Sequence, residues 1–308
     1  MAIRPPGRPS LFRVRAFGYD GRKMKNTAVL LLSAPMPLAR KGVVAAISQF
    51  LIAHNGSVLH SDDHLDRDRD LFLSRLEWDL DGFDIPIYDF EQTFKPVAER
   101  FRIKYNLALT DYRPKIAILV SSYDHCLVDL LYRHSTGDLA CDIVTIISNH
   151  PTAKLLADFY HVPFHVLSNP KDKRECEREM LDLLGQDVDL IVLARYMQIL
   201  GPDFVAQYLL RMINIHHSFL PAFIGTKPYH QAFERGVKLI GATSHYVTAT
   251  LDEGPIIEQD VVRVSHRDTV EEMVAKGRDL EKVVLSRAVR WHLENRVLVY
   301  QNKTVVFV

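Results

Sequence analysis

The sequence predicts two α/β units in tandem. The first is a βαββαβ unit over residues 27–108, and the second a doubly wound, mostly parallel-sheet unit over 112–308. Two observations carry this. Short apolar runs alternate with amphipathic stretches along the whole chain, and that alternation is how layered α/β domains bury a sheet under helices. The pattern also restarts at Tyr112-Arg113-Pro114. Beyond that point the apolar runs become short and continuous, as expected of strands covered on both faces.

Residues 1–26 stand apart. They carry Arg4, Arg8, Arg13, Arg15, Arg22, Lys23 and Lys25 against Asp20 alone, with Pro5, Pro6 and Pro9 opposing a regular helix. They are expected to form a basic, disordered arm, and the lack of an apolar core argues against a secretory signal. Thr27 to Ala34 (TAVLLLSA) reads as a buried strand, ended by Pro35 and Pro37. Gly42 to His54 places Val43, Ile47, Phe50, Leu51 and His54 at helical spacing, and Asn55-Gly56 stops it. Ser57 to Asp62 and Leu71 to Leu80 alternate and read as strands, with the acidic run Asp62 to Asp70 as a solvated loop. Ile87 to Ile103 puts Phe90, Phe94, Val97 and Phe101 on one helical face. Strand, helix, strand, strand, helix is most of a ferredoxin-like unit.

In the second unit, Lys115 to Val120 (KIAILV), Cys141 to Ile147, Phe164 to Leu167 and Asp189 to Ala194 (DLIVLA) read as strands. His125 to Arg133, Pro151 to Tyr160 and Lys171 to Leu184 read as the intervening helices. Arg211 to His216, Gly241 to Val247 and Ile256 to Val264 are further strands, and Thr269 to Glu294 is a long helix capped by Asp268 or Thr269.

Composition excludes several function classes. Lys plus Arg equals Asp plus Glu at 38 each, so no net field draws the chain to nucleic acid or an acidic membrane. No apolar run approaches the roughly 20 residues a membrane helix needs. Cys126, Cys141 and Cys176 are an odd set without a CxxC pair, which suits a reducing, cytoplasmic setting. The His216-His217 pair has no carboxylate partner at metal-ligand spacing, so no catalytic metal is expected.

Asn214 and His216 lie two apart at the end of an apolar strand, so both side chains leave one face. The carboxyl ends of strands in an open α/β sheet are where ligands bind. Ser218-Phe219-Leu220-Pro221 follows as a loop with Gly225 nearby, and Asp252 lies in the turn Leu251-Asp252-Glu253-Gly254-Pro255. An amide donor, an imidazole and a carboxylate are what attack on a formyl carbonyl needs: a donor for the oxyanion and groups to move protons.

The ordered set Asn214-x-His216, Ser218-x-Leu220-Pro221, Thr243-x-His245 and Asp252-x-Gly254-Pro255-Ile256-Ile257 resembles the formyltransferase family that uses 10-formyltetrahydrofolate. The resemblance implies that Asn214 hydrogen-bonds the formyl oxygen, His216 stabilises the oxyanion or exchanges a proton, and Asp252 pairs with His216 and positions water. It implies that Arg195, Met197, Gln198, Ile199 and Leu200 line the folate pocket, with His217, His245 and Gly254 also at the substrate. Folate would enter as substrate, with no tightly held cofactor.

Two departures bear on the acceptor. Family members that formylate glycinamide ribonucleotide cradle its phosphate in a Gly/Ser-rich loop after the first strand. The segment here, Ser121-Ser122-Tyr123-Asp124-His125-Cys126, has no glycine, and Asp124 would repel a phosphate. His217 replaces the proline usual after the family's histidine. His125 is a candidate lining residue where that phosphate would sit. A thiol nucleophile at Cys126 is disfavoured against a buried structural cysteine. Both departures look like the hydrolytic members, for which water is the acceptor and formate the product; formyl transfer to an amine is the alternative. The N-terminal unit resembles an ACT domain, as the hydrolytic members carry. That implies a homo-oligomer and an amino-acid effector, although Ala34 to Gly42 lacks the acid such ligand-binding turns often hold.

Overall fold

The structure, a computed structural model, describes residues 26–39, 42–167, 173–222 and 228–308. Apart from Asn26, the expected basic arm lies outside the described residues, as do Arg40, Lys41 and Gly225. The chain divides into two units, up to Asp111 and from Tyr112 onward.

The first unit contains β1 (Thr27–Pro35), α1 (Met36–Ala39), α2 (Val43–Ala53), β2 (Ser57–Asp66), β3 (Leu71–Asp79), α3 (Phe90–Phe101) and β4 (Lys104–Leu109). Its sheet runs β2-β3-β1-β4 and is antiparallel throughout, the ferredoxin-like order. Gly42 opens α2 at φ 105, a left-handed conformation that side chains resist. Val43, Ile47, Phe50 and Leu51 then reach the core, as the spacing predicts. In α3 the buried positions are Phe90, Phe94, Ala98 and Phe101, with Trp78 stacked on Phe90 at 5.6 Å and Phe90 on Phe94 at 5.3 Å.

The first strand ends at Pro35, as expected, and a short helix follows at once with Pro37 in its first turn, where no N–H is needed. Two expectations change here. The acidic stretch expected as a loop from Asp62 is strand as far as Asp66. Nearly every β2 side chain is exposed at the sheet edge, so its charges stay in water while its backbone pairs with β3. The helix expected from Ile87 begins as a single 3-10 turn at Ile87–Asp89 and stops at Arg102, which turns left-handed at φ 52.

The second unit contains β5 (Lys115–Val120), α4 (His125–Ser135), β6 (Asp142–Ser148), α5 (Lys154–Phe159), β7 (Phe164–Val166), α6 (Lys173–Leu184), β8 (Leu190–Ala194) and α7 (Pro202–Gln207). It continues with β9 (Met212–His216), α8 (Pro228–Glu234), β10 (Leu239–Tyr246), β11 (Ile256–Arg263), α9 (Val270–Leu293) and the hairpin β12 (Val297–Tyr300) and β13 (Lys303–Val306). The seven-stranded sheet is ordered β11-β10-β9-β8-β5-β6-β7. The strands from β7 to β9 are parallel, and β10 and β11 extend the sheet antiparallel.

Strand β5 shows why its run is continuously apolar. Ile116, Ile118 and Val120 enter a cluster with Leu127, Leu131, Val284 and Ala288 of α4 and α9. Ala117 and Leu119 enter the opposite cluster with Met180, Leu184 and Phe204 of α6 and α7. Both faces are covered, so neither tolerates a polar residue. Thr269 caps α9: its hydroxyl accepts from Glu272 N at 3.2 Å while Glu272 accepts from Thr269 N at 2.7 Å. Asp268, the other candidate cap, instead binds Lys276 at 2.6 Å. Among the described residues, no helix is long and apolar enough to cross a membrane.

The chain leaves β5 to build β6 and β7 on one side, then returns to place β8 and β9 on the other. The direction reverses between β5 and β8, and a crevice opens at the carboxyl ends of strands at such a point.

Candidate active site

The site grows from the carboxyl ends of β5, β8 and β9. Within β9, Ile213 and Ile215 point into the α4–α9 core, so Asn214 and His216 leave the other face. Antiparallel β10 sets His245 opposite Asn214 and Thr243 opposite His216. The sequence motif Thr243-x-His245 is therefore a cross-strand partner of Asn214-x-His216.

Asp252 arrives from the loop after β10, in a left-handed conformation at φ 57. Gly254 lets that loop press onto the sheet, because a Cβ there would overlap the Tyr246 carbonyl. Tyr246 N bonding Pro255 O at 2.9 Å holds the contact. The result places Asp252 Oδ2 3.3 Å from His216 Nδ1 and Oδ1 3.7 Å from His245 Nε2. Hydrogen bonding from His216 outweighs burial and holds the Asp252 carboxyl well below the usual carboxylate range.

The hydrogen bonds also settle orientations. His245 Nδ1–H donates to the Tyr246 carbonyl at 2.9 Å, which leaves Nε2 of the neutral ring as an acceptor. Asn214 Nδ2 donates to that Nε2 at 3.2 Å, so its second N–H and its carbonyl remain for another group. His216 Nε2, opposite the nitrogen facing Asp252, is buried with no partner. A donor amide, an imidazole with one free nitrogen and an ionised carboxylate behind it thus converge.

Thr243 anchors the loop beyond His216. Its hydroxyl donates to Ser218 O at 2.8 Å and accepts from Leu220 N at 3.0 Å and from Gln259 Nε2 at 2.9 Å. One donor and both acceptor sites are used. Thr243→Val keeps the shape but orphans those buried groups, and is expected to cost about 2–4 kcal/mol, read as a lowered midpoint in denaturant unfolding.

A second cluster adjoins the first. Glu281, almost fully buried on α9, accepts from Tyr229 Oη at 2.7 Å and from His125 Nε2 at 2.8 Å, and lies 3.4 Å from Arg195 Nε. Burial pushes Glu281 up, but the bond from His125, the Arg195 charge and the Tyr229 hydroxyl outweigh it and hold the carboxyl low. Gly277, one turn earlier, leaves the space Tyr229 fills, since a Cβ there would overlap its hydroxyl. His217 links the clusters, with its ring 5.3 Å from His216 and 5.9 Å from Tyr229. Burial and then the Arg195 charge push His217 down to about 4, so it is neutral at neutral pH.

The structure therefore brings Asn214, His216, His245, Asp252 and Gly254 together, and sets Arg195, His125 and His217 beside them. Met197 and Ile199 are 55% and 64% exposed, so neither is core, and Gln198 between them is exposed as well. Leu200, expected on that same pocket wall, is half-buried and packs against the α6–α7 cluster. The chain turns inward there, because Gly201 N is held by Glu177 Oε1 at 2.6 Å. Sequence reasoning missed Glu281 and Tyr229: one charged helical residue and one tyrosine carry no local signal, and His125 and Glu281 lie 156 positions apart. His125, Cys126 and Glu281 come close enough to resemble a cation site. Both Glu281 oxygens are already bonded, however, and a guanidinium stands beside them. Burial raises the Cys126 thiol well above its ordinary range, which disfavours a thiolate ligand or nucleophile.

Fold and site together define a formyl transferase domain, and the family model described as "Formyl transferase" matches residues 114–289. A formyltetrahydrofolate deformylase of Synechocystis sp. is 52% identical over 283 residues, covering 91% of this chain and 98% of that protein. The crystal structure of a formyltetrahydrofolate deformylase from Pseudomonas syringae pv. tomato superposes with a TM-score of 0.89 at 46% identity, covering 93% of this chain and 96% of that one. A glycinamide ribonucleotide transformylase from Symbiobacterium toebii matches at TM-score 0.62 and 29% identity, covering 98% of that chain but only 66% of this one. The chain belongs to the formyltetrahydrofolate deformylases.

Proposed function

We propose that this chain hydrolyses 10-formyltetrahydrofolate to tetrahydrofolate and formate. The observation that carries the reading is the Asn214–His245 and His216–Asp252 arrangement at the carboxyl end of β9. The unspent N–H of Asn214 meets the formyl oxygen as its charge grows. The free Nε2 of His216 moves or holds a proton, and Asp252 keeps the ring oriented and stabilises its charged form. Water oxygen bonds to the formyl carbon, the bond to N10 breaks, N10 takes a proton and formate leaves.

The exposed apolar surface of Met197 and Ile199 supports a pterin-contacting role. Water as acceptor is supported by the segment after β5, where Asp124 begins α4 and no glycine opens a phosphate cradle. In this reading the enzyme is cytoplasmic, supplies formate for purine synthesis and balances the one-carbon pool. The ACT-like unit, with β2 and β4 at its sheet edges, serves assembly into a homo-oligomer or binds an amino-acid effector.

Incubation with 10-formyltetrahydrofolate alone is expected to release one formate per tetrahydrofolate. Turnover that required an added amine such as glycinamide ribonucleotide, with the formyl group recovered on it, would establish transfer instead.

A further inference from the structure

We propose that Arg195 forms a receiving subsite for the formate product, binding the carboxylate through the edge of its guanidinium. This rests on the hydrolytic reading above.

Arg195 is 8% exposed, and its Nε and Nη1 are buried with no hydrogen-bond partner. Buried donors left unpaired are costly, so a native site that keeps two of them is shaped for an acceptor. Glu281 does not fill that need. Its oxygens take hydrogens from Tyr229 and His125, and its approach to Nε is an ion pair at 3.4 Å without hydrogen-bond geometry. The carboxylate thus balances the buried charge and leaves the Nε and Nη1 hydrogens unspent. The Tyr123 ring lies 5.5 Å from the guanidinium carbon and covers its face, so an acceptor comes to its edge. Nη1 and Nη2 share the end edge, away from the Nε that faces Glu281, and a planar carboxylate matches that edge with two parallel N–H···O bonds.

Position agrees with this. Leu193 of β8 pairs with Asn214 of β9, so Arg195 leaves its strand level with His216. His217 stands between them and lies within electrostatic reach of Arg195, Glu281, His216 and Asp252 at once. The reaction also creates the need. A neutral formyl amide enters, and an anion must leave a site that already holds the Asp252 carboxylate. His217, neutral, offers that anion no charge. Arg195 is a buried cation within electrostatic reach of His217, whose ring lies beside His216.

The test measures formate binding without turnover, by broadening of the 13C-formate resonance, beside formate and tetrahydrofolate as product inhibitors. Arg195→Met is compared with wild type, and with Arg195→Met/Glu281→Gln so that no buried charge is left alone. Both variants are expected to weaken formate binding at least about tenfold, with tetrahydrofolate inhibition moved less than about twofold and Arg195→Lys in between. Unchanged formate affinity in the folded double variant overturns the subsite. Failure of the wild-type enzyme to release formate would overturn the hydrolytic reading instead, which the binding measurement does not touch.

Discussion

Asp252→Asn is expected to lower kcat for formate release by about 10²–10⁴-fold while leaving KM within a few fold. The substitution is isosteric, so the turn that Gly254 and the Tyr246–Pro255 bond hold in place is kept. What changes is the charge behind His216 Nδ1, now 3.3 Å from a carboxylate oxygen. An amide can still orient the ring but cannot stabilise an imidazolium, and the transition state loses what the ground state never used. Asp252 is held well below the ordinary carboxylate range by its hydrogen bond from His216, so it stays ionised down to strongly acid pH. Any acid-side loss of wild-type activity above about pH 4 therefore belongs to another group. Stopped-flow or steady-state formate release across pH 4.5–8.5 reads both points. A loss of less than about threefold in Asp252→Asn would remove Asp252 from the mechanism.

How much of this was legible beforehand differs by element. The class of fold was, because burial on both faces leaves a mark no other environment leaves: five consecutive apolar residues in β5 divide between two clusters. The pairing of Asn214 with His216 was legible from strand periodicity, since a spacing of two means one face. Asp252 was not legible physically. It reaches His216 only because β10 runs antiparallel to β9 and Gly254 permits a close loop, and resemblance rather than spacing pointed to it. Glu281 was hidden altogether. It sits on α9 among many charged residues, and nothing local says which one turns inward to meet Tyr229 and His125. The short helices α7 and α8 and the β12–β13 hairpin escaped because four to seven residues hold too little of a period to read. The lesson is physical. Periodicity reports burial along one element, whereas a catalytic site is made of contacts between elements.

Acidification from pH 7 to pH 4.5 is expected to destabilise the protein strongly, and His292 carries much of the effect. Its ring is half-buried against Tyr246, and desolvation pushes its pKa down to about 4 from 6.5. Tyr246 Oη and His292 Nδ1 are hydrogen-bonded at 2.7 Å. Because the folded pKa is below the unfolded one, the unfolded chain binds more protons between pH 4 and 6.5. Unfolding free energy therefore falls as pH drops through that window and levels off below about pH 4. One such histidine gives a slope of up to about 1.4 kcal/mol per pH unit, or on the order of 3 kcal/mol across the window. His217, also lowered to about 4, adds in the same direction. Asp252 does not oppose this. Its depressed pKa contributes stability present above about pH 3.8 and lost only as pH falls through its still lower folded value. Urea unfolding at half-unit pH steps measures the slope, and His292→Asn, which keeps an acceptor near Tyr246, isolates the residue. The variant is expected to reduce the pH 4–6.5 slope by about half. An unaltered slope would place the titration elsewhere and leave the Tyr246–His292 pair with a purely packing role.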